Sequence, residues 1–244
     1  MLAIIGGSGL SKLGNMAVTK RKVSRTPYGE ASGALTFGHI GGCEVVFLAR
    51  HGYGHTIAPH EVNYRANLWA LKDAGASEVV SVASVGAIDD HAPGAIVVPD
   101  QVIDYTWGRA STYFQGQGTP VNHIDFTEPY SRGLRRRILN AAAACKEPVA
   151  DGGVYAATQG PRLETAAEIE RLARDGATVV GMTGMPEAAL AREISLEYAA
   201  IAVVANWAAG RGDSKRAVPL DKIGAILEEA MGRVRRIIEE CCKR

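Results

Sequence analysis

The sequence is poor in the features that mark several classes of protein. Cysteine occurs four times in 244 residues, as Cys43, Cys145, Cys241 and Cys242, without a C-x-x-C pair or a partnering histidine motif. A disulfide scaffold and a structural zinc site are therefore not expected. The sequence also lacks a signal-like start and any apolar run near the roughly 20 residues that span a bilayer. We expect a cytoplasmic protein without a membrane segment.

An excess of charge of one sign is also lacking. Lys and Arg together number 27 and Asp and Glu 26, which gives a formal net charge of +1. This balance predicts no general attraction to nucleic acid or to an anionic membrane. With 47% hydrophobic residues, a chain of this length can bury a substantial core.

Short β-branched segments alternate with amphipathic segments along the chain. The patterns predict strands over residues 2–5, 34–40, 44–49, 78–83, 96–103, 153–158, 178–181 and 200–204, and helices over 64–74, 131–146, 165–175, 186–198 and 220–240. Thr165 and Glu168 have the spacing of a capping box. Because no linker or repeat divides the pattern, we expect a single α/β domain over residues 1–244, with a central mixed sheet flanked by helices.

A glycine-rich segment directly follows the first predicted strand. In Gly6-Gly7-Ser8-Gly9, glycines would let backbone N–H groups approach an anion, and the Ser8 hydroxyl could add a donor. The segment lacks the G-x-G-x-x-G and G-K-[ST] patterns of nucleotide-binding loops. A plain tight turn is the alternative interpretation.

The triplet Arg50-His51-Gly52 follows a later strand and offers a second set of anion donors. Arginine provides a planar fork for an oxyanion, and histidine could add another N–H. Histidine phosphatases carry the same triplet, but on their first strand. Here a strand with a glycine loop and a hairpin come before it, which disfavours a phosphatase. His55 and His60 follow closely, but their spacing matches no zinc motif, so no metal is expected.

Two further polar segments stand at predicted strand-to-helix junctions, where α/β sheets bind ligands. They are residues 158–165 (TQGPRLET) and 181–187 (GMTGMPE). Taken separately, Glu164 could be a helix-start carboxylate and Met182 a core residue. Neither segment identifies a function by itself.

Five motifs occur in one order along nearly the whole chain. They are Gly-Gly-Ser-Gly-Leu, Arg-His-Gly-x-x-His-Thr, Pro-His-x-Val-Asn-Tyr-Arg-Ala-Asn, Gly-Pro-Arg-x-Glu-Thr and Gly-Met-Thr-x-x-Pro-Glu. This order resembles the trimeric purine nucleoside phosphorylase and methylthioadenosine phosphorylase family, and the second and third motifs are most similar to its methylthioadenosine branch. The resemblance implies a nucleoside phosphorylase fold, pentosyl transfer in purine salvage, and inorganic phosphate as co-substrate with no cofactor.

The resemblance also implies roles for individual residues. The phosphate-binding set would be Ser8, Arg50, His51, Ser84 and Thr183. On the nucleoside, Met182 would lie against the ribose and Leu163 against the base, with His55 as a further substrate contact. His123, in a long loop over residues 104–129, resembles a histidine that a neighbouring subunit contributes, which implies a homotrimer.

At the base, the sequence departs from the adenine-cleaving members of the family. Those carry Thr-Asp-x-Asp after the penultimate strand, where this chain reads Ala205-Asn206-Trp207-Ala208. The pattern resembles the 6-oxopurine phosphorylases, whose catalytic Glu–Asn pair would be Glu164 and Asn206. A carboxylate can accept from the N1–H of hypoxanthine but meets a lone pair on adenine, while Asn206 can donate to N7 or O6.

At the sugar, the resemblance points to a methylthio group. The nucleoside branch places a histidine near the start of the last helix to meet a 5′-hydroxyl, whereas this chain offers the apolar Val218 and Leu220. Together with the base argument this favours 5′-methylthioinosine as substrate. Two alternatives stay open, a methylthioadenosine phosphorylase that tolerates Asn206 and a nucleotide-binding module without turnover.

Overall fold

Strands and helices alternate in the computed structural model, which describes residues 1–10 and 12–243. The strands are β1 (Leu2–Gly6), β2 (Ala17–Lys22), β3 (Arg25–Thr26), β4 (Gly29–Glu30), β5 (Leu35–Ile40), β6 (Cys43–Ala49), β7 (Glu78–Ala87), β8 (Ile96–Val98), β9 (Gln101–Asp104), β10 (Ala150–Asp151), β11 (Val154–Ala157), β12 (Val179–Gly181) and β13 (Glu197–Trp207). The helices are α1 (Tyr64–Asp73), α2 (Arg132–Ala144), α3 (Ala166–Arg174), α4 (Gly184–Glu193) and α5 (Leu220–Cys242), with a short 3-10 helix at Gly212–Ser214.

One mixed sheet contains eleven of the strands in the described residues. Its main path runs β10-β8-β13-β7-β1-β6-β5-β2, and β12 joins β7 and connects β11 and β9 to the sheet. β1 lies parallel to β6 and β7, whereas β12 is antiparallel to β7. All five residues of β1 are buried, as is typical of an interior parallel strand. The predicted α/β class with a central mixed sheet is confirmed.

Helices cover both faces of the sheet because successive strand residues point to opposite sides. Ala3 and Ile5 pack in one core with residues of α1 and α4, and Leu2 and Ile4 pack in a second core with residues of α2 and α5. A smaller cluster joins α3 to β11 and β12 through Ile169. Among the described residues, no helix combines the length and apolar character needed to cross a membrane.

The first three helices begin at side-chain caps that the sequence encodes locally. The side chains of Asn63 and Ser131 accept from backbone N–H groups in the first turns of α1 and α2. At α3, Thr165 and Glu168 form the predicted capping box. Because caps depend on adjacent residues, these three helices end within two residues of their predicted limits.

The sequence-based prediction is wrong at α4, and it misplaces parts of the sheet. The helix predicted over 186–198 ends at Glu193, because Ser195 takes a left-handed conformation (φ 56°), and Tyr198 belongs to β13. The strand predicted over 96–103 is two strands, β8 and β9, with Pro99 between them. Strand β2 was not predicted because all six of its residues are exposed and lack an apolar alternation.

Candidate active site

A cavity of about 470 Å³ is formed by segments that are distant in the sequence. Its lining contains the predicted residues Ser8, Arg50, His51, His55, Ser84, Leu163, Glu164, Met182, Thr183, Asn206 and Val218. They come from the segments after β1, β6, β11 and β12, from the second half of β7, and from β13 and the loop before α5. The fold therefore brings the motifs together, while the role of each residue stays a prediction.

Two predicted residues lie outside this cavity within the single chain. His123 is exposed on the loop over 104–129. Leu220 is also placed differently from the prediction, because it begins α5 at the surface with 65% of its area exposed. Ile223 and Leu227, one and two turns further along α5, line the cavity instead.

The glycine-rich segment is both a tight turn and part of the cavity wall. A Cβ at Gly6 would lie 2.0 Å from the carbonyl oxygen of Leu10, and one at Gly7 would lie 2.7 Å from that of Val82. The Leu10 N–H donates to the Gly7 carbonyl at 3.0 Å, which closes the turn. Close packing therefore explains both glycines, and the same turn presents Gly7 and Ser8 to the cavity.

Arg50 is fully buried, and most of its donors are used within the protein. Its Nε and Nη2 donate to the two carboxylate oxygens of Glu187 at 2.7 and 2.9 Å. Nη2 also donates to Ser81 Oγ at 2.6 Å, and Nη1 donates to the Val82 carbonyl at 3.0 Å. Burial opposes the charge, but Glu187 holds the pKa of Arg50 above its ordinary value. One Nη1 N–H is left for a bound anion.

His51 is an acceptor in this site rather than the donor that the sequence suggested. Its Nδ1 lies 2.8 Å from the carbonyl oxygen of Ile57, which can only accept, so Nδ1 carries the proton and Nε2 has the lone pair. Burial, together with the charge of Arg50, lowers the pKa of His51 to about 4. At neutral pH the ring is therefore uncharged.

Other polar residues on this side of the cavity include Ser8, His55 and Thr183. Ser8 Oγ lies 3.4 Å from Nε2 of His55, whose ring centroid is 4.5 Å from that of His51. Thr183 is buried at the N-cap of α4, and its side chain makes no capping bond there. Thr183 lines the cavity, its N–H donates to the Tyr155 hydroxyl at 3.4 Å, and its own hydroxyl can donate to an anion.

Among the residues that the structure describes, Glu164 and Asn206 each have one side-chain hydrogen bond. Thr158 Oγ1 donates to Glu164 Oε1 at 2.6 Å, and Asn206 Nδ2 donates to the Trp207 carbonyl at 2.6 Å. A register shift between Val204 and Asn206 marks a bulge in β13 where it pairs with β7, and such bulges redirect side chains. Each residue keeps polar atoms free for a ligand, one carboxylate oxygen on Glu164 and an N–H and the oxygen on Asn206.

Sequence reasoning missed several residues of the site. Thr158 supports Glu164, Ile223 and Leu227 complete the apolar wall, and Arg109 binds the backbone beneath the cavity. The one feature of the sequence that points to Arg109 is its position in the polar loop over 104–129, and many other residues share that loop. The described residues contain no group of three or more His, Cys, Asp or Glu side chains placed to hold a metal.

Comparisons with known proteins agree on the family. The family model described as Phosphorylase superfamily matches residues 1–243. A protein of Xanthomonas campestris pv. campestris named probable S-methyl-5′-thioinosine phosphorylase is 53% identical over 215 residues, 88% of this chain and 86% of its own. The 6-oxopurine nucleoside phosphorylase of Pyrococcus furiosus is 45% identical over 221 residues, 88% of this chain and 82% of its own.

A solved structure confirms the predicted type of fold. Methylthioadenosine phosphorylase from Schistosoma mansoni in complex with adenine superposes with a TM-score of 0.94 at 32% identity, covering 99% of this chain and 90% of that one. The nucleoside phosphorylase fold and the order of the five motifs thus coincide over nearly the whole chain. By sequence and by structure, this chain belongs to the phosphorylase superfamily.

Proposed function

We propose that this protein cleaves 5′-methylthioinosine with inorganic phosphate to give hypoxanthine and 5-methylthioribose 1-phosphate. The observation that carries the proposal is that Glu164 and Asn206 line the same cavity as Ser8, His51 and Thr183. Membership of the family makes the protein a nucleoside phosphorylase, a pentosyltransferase, as predicted. The name of the Xanthomonas relative agrees with the proposed substrate.

The bond that breaks joins C1′ of the sugar to N9 of the purine, and a phosphate oxygen bonds to C1′. Both electrons of the broken bond leave with the purine, which needs hydrogen bonds to hold the developing negative charge. The Asn206 N–H that is not used by Trp207 would donate to N7 or O6. The free oxygen of Glu164 would accept from N1–H, a bond that hypoxanthine offers and adenine does not.

Phosphate would lie among Ser8, Ser84 and Thr183, beside the free Nη1 donor of Arg50. Since neutral His51 accepts through Nε2, it would take a hydrogen bond from a P–OH group of the nucleophile. Holding phosphate and nucleoside together in one cavity makes the attack effectively intramolecular.

The sugar and base would contact the less polar parts of the lining. Met182 would lie against the ribose and Leu163 against the purine, with His55 near the sugar. The 5′ substituent would face Val218, Ile223 and Leu227, whose apolar side chains suit a methylthio group and offer no partner to a hydroxyl.

We also propose that the active unit is a cytoplasmic homotrimer that acts in purine salvage without a cofactor or metal. In this assembly His123 of one subunit would reach the cavity of its neighbour. Its exposure, and that of Trp107 and Val121 on the same loop at 72% and 76%, support a loop that is covered by another subunit.

The test compares release of free base from methylthioinosine, methylthioadenosine and inosine, each with and without phosphate and with EDTA. We expect methylthioinosine to have the highest kcat/KM, an absolute need for phosphate, and no effect of EDTA. Preference for methylthioadenosine, the activity in the name of the Schistosoma structure, would replace the base assignment. Release of no base from any nucleoside would favour a binding module.

A further inference from the structure

Arg109 is the most extensively hydrogen-bonded side chain of the loop over residues 104–129 among the bonds that the structure describes. Its Nη1 donates to the carbonyl oxygens of Met182 and Met185 at 2.8 and 2.7 Å. Its Nη2 donates to the carbonyl oxygens of Gln159 and Thr158 at 2.8 and 3.3 Å. Its Nε donates to Oε1 of Gln159 at 3.2 Å. All five N–H groups of the guanidinium therefore have acceptors.

These acceptors belong to the two strand-to-helix junctions that carry the site. Thr158 and Gln159 follow β11 and lead into the segment with Glu164, while Met182 and Met185 follow β12 and enclose Thr183. β11 and β12 are parallel neighbours, and the Thr158 N–H still donates to the Gly181 carbonyl at 2.8 Å. Beyond that bond, Arg109 joins the two segments through their backbone carbonyls.

The position of Arg109 is itself fixed by packing. Its guanidinium carbon lies 5.5 Å from the ring centroid of Tyr64, and Nη1 is 3.3 Å from the Tyr64 hydroxyl. Further along the loop, Glu193 at the end of α4 accepts from Thr112 Oγ1 at 2.6 Å and from the Tyr113 N–H at 2.8 Å. The loop is therefore tied to α1 at the arginine and to α4 a few residues after it.

We propose that Arg109 is a positioning residue for the phosphorolysis reaction, which holds the Glu164 and Thr183 segments in register across the cavity. It has no carboxylate partner among the ion pairs of the described residues, and its acceptors are carbonyls, an amide and a phenol. Such a side chain orders backbone instead of neutralising an acid. The planar fork, which binds acceptors in two segments at once, cannot be reproduced by the ammonium of lysine.

The inference rests on the proposed function for its readout, and the experiment separates the two. Wild type, Arg109→Lys, Arg109→Ala and the control Arg135→Ala would be assayed for kcat, for KM of phosphate and methylthioinosine, and for thermal midpoint. Arg135 is the control because it also binds two backbone carbonyls, those of Pro99 and Val98 at 2.9 and 3.1 Å, at a place away from the cavity lining. Unlike Arg109 it also pairs with a carboxylate, that of Asp151 at 2.6 Å.

We expect Arg109→Ala to lower kcat/KM about 100-fold, the cost of a small misplacement of reacting groups, with both KM values raised. Arg109→Lys should fold and still lose about tenfold or more, since it keeps the charge but not the fork. Guanidinium ion at low, non-denaturing concentration should restore part of the activity of Arg109→Ala. Arg135→Ala should lower the thermal midpoint, leave both KM values unchanged, and show no rescue.

The proposal is overturned if Arg109→Lys keeps both KM values and kcat near those of the wild type. It is also overturned if a folded Arg109→Ala shows the losses of Arg135→Ala and no guanidinium rescue. If Arg109→Ala does not fold, the result with Arg109→Lys decides. A wild-type protein that cleaves no nucleoside contradicts the proposed function, whereas an active wild type with unaffected Arg109 variants contradicts this inference alone.

Discussion

Asn206 is the residue on which the choice of purine depends in the proposed site. Its Nδ2 is 2.6 Å from the Trp207 carbonyl, so an ionised aspartate at this position would set an oxygen against an oxygen. The carboxyl group of Asn206→Asp is therefore favoured in its protonated form, whose single O–H is directed to the Trp207 carbonyl while its other oxygen can accept from the exocyclic amine of adenine.

We expect Asn206→Asp to raise the ratio of kcat/KM for methylthioadenosine over that for methylthioinosine by about tenfold or more, which corresponds to roughly 1.4 kcal/mol. Most of the change should be lost methylthioinosine cleavage, because Ala208 still lacks the second aspartate of the adenine-cleaving pattern. Glu164→Gln is a second test of the base site. It should also raise the ratio, since its amide can donate to N1 of adenine. An unchanged ratio in a folded Asn206→Asp protein would rule out Asn206 as the base reader.

Arg50 also stabilises the fold, through a buried ion pair that its motif does not predict. The phosphate-binding role that the family resemblance implies for Arg50 predicts that Arg50→Ala mainly weakens phosphate binding, but the structure pairs Arg50 with a Glu187 side chain that is 1% exposed. Removing one partner of a buried pair typically lowers the free energy of unfolding by about 3–5 kcal/mol. We expect that loss for Arg50→Ala in urea denaturation, and partial recovery in the double variant Arg50→Met with Glu187→Leu. Full stability of Arg50→Ala with a raised KM for phosphate would restore the first expectation.

His51 gives the stability a pH dependence of known sign. Its pKa is lowered to about 4 in the folded protein, from an ordinary value near 6.5 in the unfolded chain. As pH falls below about 6.5 the unfolded state binds the proton first, so the contribution of His51 to stability is lost down to about pH 4, and that contribution changes no further below it. Urea midpoints in phosphate-free buffer at several pH values should show this loss. His51→Gln should have a flatter profile, and an equal slope in both proteins would contradict the assignment.

At the scale of elements, the proposed function assigns the sugar preference to the apolar residues just before α5 and in its first two turns. Val218 precedes the helix and lines the cavity with Ile223 and Leu227, while Leu220 at the first helical residue is exposed. We expect Val218→His, which supplies a partner for a 5′-hydroxyl, to raise kcat/KM for inosine relative to methylthioinosine by about tenfold. Leu220→His places the same side chain outside the cavity and should leave the ratio unchanged. If both variants behave alike, the apolar wall does not read the 5′ substituent.

The elements that could be predicted are those whose signals are local. Side-chain caps mark where α1, α2 and α3 begin. The wholly apolar β1 can be recognised as a strand without knowing its neighbours in the sheet. The edge strand β2 could not, because its exposed residues owe their extended form to pairing with β5. The end of α4 was also hidden, since Leu196 and Tyr198 continue an apolar pattern after the chain has turned at Ser195.

The same distinction applies to the site at the scale of the whole molecule. Glu164 and Thr183 follow strands in recognisable motifs, and Asn206 lies near the end of β13, so sequence could bring them to one cavity. The carbonyl oxygens that Arg109 binds at 2.8 Å or less belong to residues at least 50 positions away in the sequence. No local sequence pattern predicts such bonds. The acceptor state of His51 depends likewise on a carbonyl contributed by the folded loop.

His123 is exposed and absent from the lining of its own chain's cavity, so a catalytic role for it requires a neighbour. His123→Ala and Asn206→Ala should each be poorly active alone, and each should have the molecular mass of a trimer in light scattering. In trimers formed by random exchange of equal amounts, about one site in four would combine an intact cavity with an intact His123 from the next subunit. Activity should therefore rise to about a quarter of the wild-type value per site, because the two defects fall on different sides of the shared cavity. Mixing without subunit exchange is the control and should give no gain. If exchange is demonstrated by mass spectrometry and activity stays at the level of the parents, the cavity is complete within one chain and His123 does not belong to it.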